Sequence, residues 1–191
     1  MKLILGSSSP FRRELLDRLG LDYECDSPEI DESPLDGETA EQLVVRLAVA
    51  KARAVAERHH DALIIGSDQV AVLGEQILGK PGTHDKAVEQ LKNASGQFVS
   101  FQTGLCLYDS RNDTAQVERV PFAVQFRQLS DSQIENYLQR EQPYNCAGSF
   151  KSEGLGIALF ERMEGDDPNA LIGLPLIRLV SMLETAGMQV L

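Results

Sequence analysis

Residues 3–16, Leu-Ile-Leu-Gly-Ser-Ser-Ser-Pro-Phe-Arg-Arg-Glu-Leu-Leu, commit the chain to a strand that turns directly into a helix. The apolar run predicts a short buried strand and stops at a small-residue loop. Ser9 stands as N-cap, and Pro10 takes the first helical position, where a missing N–H costs nothing. Free amides, three hydroxyls and the guanidinium groups of Arg12 and Arg13 then converge on one helix N-terminus, which suits a phosphate. An ordinary strand-to-helix turn with both arginines in solvent fits the same residues.

Strand-like and helical patterns go on alternating, the mark of an α/β fold. A helix over about 10–19 and a short strand near 21–25 lead into an acidic loop, Asp26 to Glu38. Thr39-Ala-Glu-Gln42 is a capping box for a long helix to about His59. Ala62 to Ile65 forms a compact buried strand ending in Gly66-Ser-Asp-Gln69, and 70–73 and 76–78 flank Gly74-Glu75 as a hairpin. A helix over 84–94 precedes two long strands, 97–108 and 116–127. Ser130-Asp-Ser-Gln133 caps a helix to about Arg140, Cys146 to Gly156 is irregular, and Leu174 to Ala186 closes the chain as a helix. No repeat or long linker divides the 191 residues, so a single domain over 1–191 is expected.

The net charge of −11, from 29 acidic and 18 basic residues, argues against a nucleic-acid polymer or an anionic membrane as partner. A small anionic substrate stays open, because a local basic pocket or a metal overcomes the global field. Cys25, Cys106 and Cys146 are too scattered for a disulfide framework or zinc knuckle and read as buried, reduced thiols. Strand residues follow Met1-Lys2 at once, which leaves no room for a signal peptide, and no apolar run spans a bilayer, so a soluble cytoplasmic protein is expected.

Several residues offer chemistry. Asp68, past the end of an apolar strand, suits a general base or metal ligand, or else an Asx-turn. Glu29, Asp31 and Glu32 supply oxygens suited to Mg2+ or Mn2+, or form a merely solvated loop. Lys51 falls within the apolar stripe Val44, Leu47, Ala48, Val55, where it either snorkels or reaches a buried anion. Lys80 is set between turn residues Gly79 and Pro81. A Walker A sequence, G-x-G-x-x-G, a nucleophile elbow and metal-spaced histidines are all missing. The remaining parts suit metal-assisted phosphoryl chemistry with water as nucleophile.

In order along the chain, Leu5-Gly-Ser-Ser-Ser-Pro-Phe-Arg12, Glu29-Ile-Asp-Glu32, Ala48-Val-Ala-Lys51-Ala, Ile65-Gly-Ser-Asp68, Gly79-Lys80-Pro81, Thr103-Gly104 and Ile134-Glu-Asn-Tyr137 resemble the Maf family of nucleoside-triphosphate pyrophosphatases. The resemblance covers essentially the whole chain. It implies a single elongated mixed sheet flanked by helices, with two lobes and a central cleft, as in the inosine-triphosphate pyrophosphatases. It further implies that Asp68 activates water, that Glu32 and Asp68 hold a divalent metal (Mg2+ or Mn2+), and that Ser7, Ser9, Arg12, Lys51 and Lys80 grip the triphosphate. The reaction would split a nucleoside triphosphate into its monophosphate and pyrophosphate. The family also suggests a homodimer.

Three departures from the common family pattern bear on substrate. Ser9-Pro10-Phe11-Arg12 replaces Ser-Pro-Arg-Arg, Asp68-Gln69-Val70 replaces Asp-Thr-Val, and Gly148-Ser-Phe-Lys-Ser-Glu153-Gly154 replaces Gly-Ala-Tyr-Gly-Ile-Gln-Gly. These resemble the subgroup that hydrolyses 7-methyl-GTP, a housecleaning of modified nucleotides. A methylated guanine carries delocalised positive charge, which an aromatic face such as Phe11 attracts. Glu153 would accept from its Watson–Crick edge, and Gln69 would contact the nucleobase or fix its position. The same chemistry on dTTP or UTP, and a non-catalytic nucleotide-binding regulator of cell division, remain the alternatives.

Overall fold

The computed structural model describes residues 1–191. Its strands are β1 (Lys2–Leu5), β2 (Glu24–Cys25), β3 (Ala62–Leu73), β4 (Gln76–Leu78), β5 (Phe98–Asp109), β6 (Thr114–Phe126) and β7 (Phe160–Glu164). Its helices are α1 (Pro10–Asp17), α2 (Ala40–Ala56), α3 (His84–Ala94), α4 (Asp131–Glu141), α5 (Pro168–Ile172) and α6 (Leu176–Thr185). The strands form one mixed sheet in the order β2-β1-β3-β5-β6-β7, with β4 paired to β3. β1 runs parallel to β2 and β3, whereas β4 and β7 pair antiparallel with β3 and β6. No helix is long and apolar enough to cross a membrane.

The chain divides into two compact units. The first comprises Met1–Gln69, Gln102–Val120 and Asp167–Leu191. Alternation along its strands sends Leu3, Leu5, Leu63, Ile65, Leu105 and Leu107 to one face, where Leu15, Leu16, Leu179 and Leu183 cover them. Ile4, Ala62, Ile64 and Cys106 point the other way, against Ala48, Ala52 and Val55 of α2. Burying both faces explains why β1 and the start of β3 are almost wholly apolar.

The second unit comprises Val70–Phe101 and Pro121–Asp166. Its core is an edge-to-face cluster of Phe101, Phe126, Phe150 and Phe160, with ring centroids 4.9 to 5.6 Å apart. A short 3-10 turn, 147–149, lies in the stretch read as irregular, and a second, 155–159, begins at its end.

Both capping boxes form as the sequence indicates, Thr39 with Gln42 and Ser130 with Gln133. Three readings need correction. The strand expected to stop at Ile65 continues to Leu73, so Asp68 lies inside β3 and not in an Asx-turn beyond it. The polar residues 67–69 stay in the strand because each side chain finds a partner. Cys25 is exposed and Cys146 half-buried, and only Cys106 is a core thiol. β7 and α5 lie where no element was expected.

Candidate active site

Two glycines let helix and sheet approach closely enough to build the site. A Cβ on Gly66 of β3 would stand 2.1 Å from the Ala48 carbonyl of α2, and one on Gly104 of β5 would stand 2.1 Å from the Val44 carbonyl. With α2 seated there, Lys51 leaves its apolar stripe toward β3. It is 6% exposed and Asp68 is 7% exposed. The Lys51 Nζ donates to Asp68 Oδ1 at 2.6 Å and lies 3.0 Å from Glu32 Oε2. The buried anion that Lys51 reaches is therefore the chain's own carboxylate. Burial raises the Asp68 carboxyl above its ordinary value, with Lys51 and Arg12 opposing the rise and Glu32 adding to it. A raised carboxyl in contact with a specific cation marks a candidate functional group.

Glu32 arrives on a loop strapped along α2. Asp26 accepts from Arg58 Nε and Nη2 at 2.9 and 2.8 Å and lies 2.9 Å from His59 Nε2. Glu38 takes Arg46 Nε and Nη2 at 2.5 and 2.7 Å, while Arg46 also donates to the Ser33 carbonyl. These two-pronged pairs hold the Asp26 and Glu38 carboxyls down at about 2. Between the anchors, Asp31 accepts from the Ser33 amide and Glu29 is exposed. Of the acidic trio, Glu32 alone meets Lys51.

The opening turn is part of the same unit. The Ser9 side chain accepts from the Arg12 amide at 3.4 Å, with Pro10 opening α1. Ser7 Oγ accepts from the Ser9 amide at 3.1 Å and from Arg12 Nη1 at 3.5 Å. Arg12 Nε donates to the Gly173 carbonyl at 2.8 Å, which aims the guanidinium's other edge away from that anchor. Burial works against its charge, and Asp68 and Glu32 work for it; a guanidinium stays protonated under such opposition. Phe11 is half-buried in the first turn of α1.

Sequence reasoning missed the segment that ties these pieces together. Asp167, buried, caps α5 by accepting from the Asn169 amide and also accepts from the Ile177 amide. Gly173, at φ 118°, ends the helix. The carbonyls so presented organise the site. Gly173 O accepts from Ser67 Oγ at 2.9 Å as well as from Arg12, and Ala170 O accepts from Thr103 Oγ1 at 3.0 Å. Gln69 Nε2 donates to Ala170 O, Leu171 O and Thr103 Oγ1, so its amide nitrogen is committed within the protein. The Asp167-Pro168 pair before Ala-Leu-Ile-Gly173 was the available signal, an N-cap and N1 proline closed by a C-terminal glycine.

The first unit thus brings together Ser7, Ser9, Phe11, Arg12, Glu32, Lys51, Asp68 and Gln69. Lys80 and Glu153 belong to the second unit, where both are exposed. There the Cys146 thiol is raised by burial, while Lys151 and Lys80 draw it down and Glu153 and Glu141 push it up.

The chemistry of the donors bears on a metal. Two carboxylates converge on the Lys51 ammonium, and one or two carboxylates plus phosphate oxygens and water are the usual ligands of Mg2+. No group of three or more His, Cys, Asp or Glu could hold an ion alone. Glu32 and Asp68 fit a cation that takes its other ligands from a phosphate substrate and water.

A family model described as "Maf-like protein" matches residues 2–186. The chain is 63% identical over 189 residues to a 7-methyl-GTP pyrophosphatase of Nitrosococcus oceani, covering 99% of this chain and 95% of that one. It is 57% identical over 189 residues to the protein of the same name from Colwellia psychrerythraea, covering 99% and 94%. With that of Methylobacillus flagellatus it shares 60% over 189 residues, covering 99% and 98%.

Proposed function

Because the chain belongs to the Maf family, we propose that it hydrolyses 7-methyl-GTP to 7-methyl-GMP and diphosphate. The observation that carries the chemical half of this reading is the buried Asp68 carboxylate, raised by its surroundings yet held by Lys51. The names of its relatives carry the substrate half.

In this reading Asp68 accepts a proton from the attacking water. The water oxygen bonds to the α-phosphorus, the bond to the bridging oxygen of the β-phosphate breaks, and diphosphate leaves. Arg12 presents its guanidinium to the triphosphate while Gly173 fixes its Nε. Ser7 and Ser9 shape the turn whose amides face the phosphates, and Lys80 adds a cation. Lys51 keeps Asp68 and Glu32 in place and balances their charge before the phosphates arrive. A divalent cation on Glu32 and Asp68 would offset charge spread over the phosphate oxygens. Phe11 offers a face to the cationic base, Glu153 a carboxylate to its edge, and Gln69 holds the α5 carbonyls in position. The reading carries a cytoplasmic location and the removal of modified nucleotides as the biological role.

The test is a panel of 7-methyl-GTP, GTP, dTTP and UTP with and without Mg2+, followed by release of diphosphate. Preferred, Mg2+-dependent turnover of 7-methyl-GTP is expected. Preference for dTTP or UTP would overturn the substrate assignment, and nucleotide binding without diphosphate release would overturn the enzyme.

A further inference from the structure

The second unit holds a carboxylate that the reaction does not use, at the end of α4. Glu141 is the last residue of that helix, which Gln142 terminates in a left-handed conformation, φ 50°. Its Oε2 accepts from the Leu155 amide at 2.7 Å, and Lys151 Nζ donates to its backbone carbonyl at 3.3 Å. The same ammonium lies 3.9 Å from its Oε1. The carboxylate also rests against the backbone of Gly154, where a Cβ would stand 2.8 and 2.9 Å from its two oxygens.

From α4 as well, the buried Tyr137 hydroxyl accepts from the Lys151 amide at 3.0 Å. Within the turn, the Gly154 amide donates to the Lys151 carbonyl, and Gly156 packs so tightly that its Cβ would stand 2.2 Å from that carbonyl. Residues 151 to 155 are thus clamped to one helix on both flanks. The exposed Glu153 sits at the middle of the clamped turn, and its carboxylate accepts from the neighbouring Ser152 hydroxyl.

We propose that Glu141 is a positioning residue for substrate choice, holding the 151–155 turn so that Glu153 meets the nucleobase at a fixed place. The inference rests on the reading that Glu153 recognises the base. An exposed carboxylate on a loose turn gains little selectivity, because ordering it on binding offsets the contact it makes. Clamped by Leu155, Gly154 and Lys151, the turn is ordered beforehand. Lys151 adds to the clamp, since its ammonium is engaged at the Glu141 carbonyl and lies beside the Glu141 carboxylate.

The experiment compares kcat and KM for 7-methyl-GTP and GTP in the full-length protein and in Glu141→Ala, Glu141→Gln, Gly154→Ala and Glu153→Gln. Glu141→Ala should lower the ratio of kcat/KM values for the two substrates about tenfold, mainly through a higher KM for 7-methyl-GTP. Glu141→Gln keeps an oxygen for the Leu155 amide and should restore most of the ratio. Gly154→Ala displaces the carboxylate without removing it and should reproduce the Glu141→Ala loss, which keeps the test decisive if Glu141→Ala folds poorly. Retention of the ratio in Glu141→Ala or Gly154→Ala, alongside its loss in Glu153→Gln, would overturn the role of Glu141. Retention in Glu153→Gln would overturn base recognition by Glu153, and the inference with it.

Discussion

The Lys51 ammonium lies 2.6 Å from the Asp68 carboxylate, with both side chains almost sealed from water between α2 and β3. Such a pair contributes little net stability over an apolar substitute, but breaking it strands a buried charge. Lys51→Met should therefore destabilise the fold by about 3–5 kcal/mol near neutral pH.

The sign of the pH effect follows from Asp68. Its carboxyl is already raised in the folded protein, and loss of Lys51 raises it further. A group with a raised folded value favours folding below its unfolded value and loses that contribution as pH rises through the folded value. The melting-temperature deficit of Lys51→Met should thus shrink as the pH falls and Asp68 takes up a proton. A deficit unchanged by pH would contradict the pairing.

Gly66 tests whether close packing of α2 builds the site. In Gly66→Ala the new methyl meets the Ala48 carbonyl at 2.1 Å and the Ala52 amide nitrogen at 2.9 Å. Both contacts are backbone and cannot swing away, so α2 must move and carry Lys51 with it. Thermal denaturation should register a loss of about 1–3 kcal/mol or more. Turnover per folded molecule should fall too, and full activity would mean that the Lys51–Asp68 contact tolerates displacement.

The acidic loop makes a different pH prediction. Asp26 and Glu38 are held at about 2 by Arg58 with His59 and by Arg46, well below the ordinary values of 3.8 and 4.5. Depressed carboxyls stabilise the fold above their unfolded values, and that contribution is lost as pH falls through the folded ones. Acid weakening attributable to these pairs should therefore lie between about pH 4.5 and 2. In Arg46→Ala the melting-temperature slope across that window should flatten. An unchanged slope would show that the strap has no part in stability.

Legibility of the fold followed from local chemistry. Ser9-Pro10, Thr39 to Gln42 and Ser130 to Gln133 each mark a helix start through side-chain bonds to the chain's own amides, and each cap forms. Lys51 stood out as a cation on an apolar stripe, though its partner was visible only once α2 lay on β3. The continuation of β3 through Ser67, Asp68 and Gln69 was not legible, because those side chains are satisfied by residues 17 to 106 positions away. The same distance hides the partners of Gln69, whose amide nitrogen donates to Thr103 Oγ1 and to the Ala170 and Leu171 carbonyls. The clamp on residues 151–155 joins a helix end to a turn 14 residues on, and no local pattern announces it.

The general-base role proposed for Asp68 makes diphosphate release from 7-methyl-GTP by Asp68→Asn the decisive measurement. That substitution keeps the size of the side chain and removes its capacity to accept the proton. Turnover should fall a hundredfold or more, with nucleotide binding retained. Turnover by Asp68→Asn near that of the unaltered protein would rule out Asp68 as the general base.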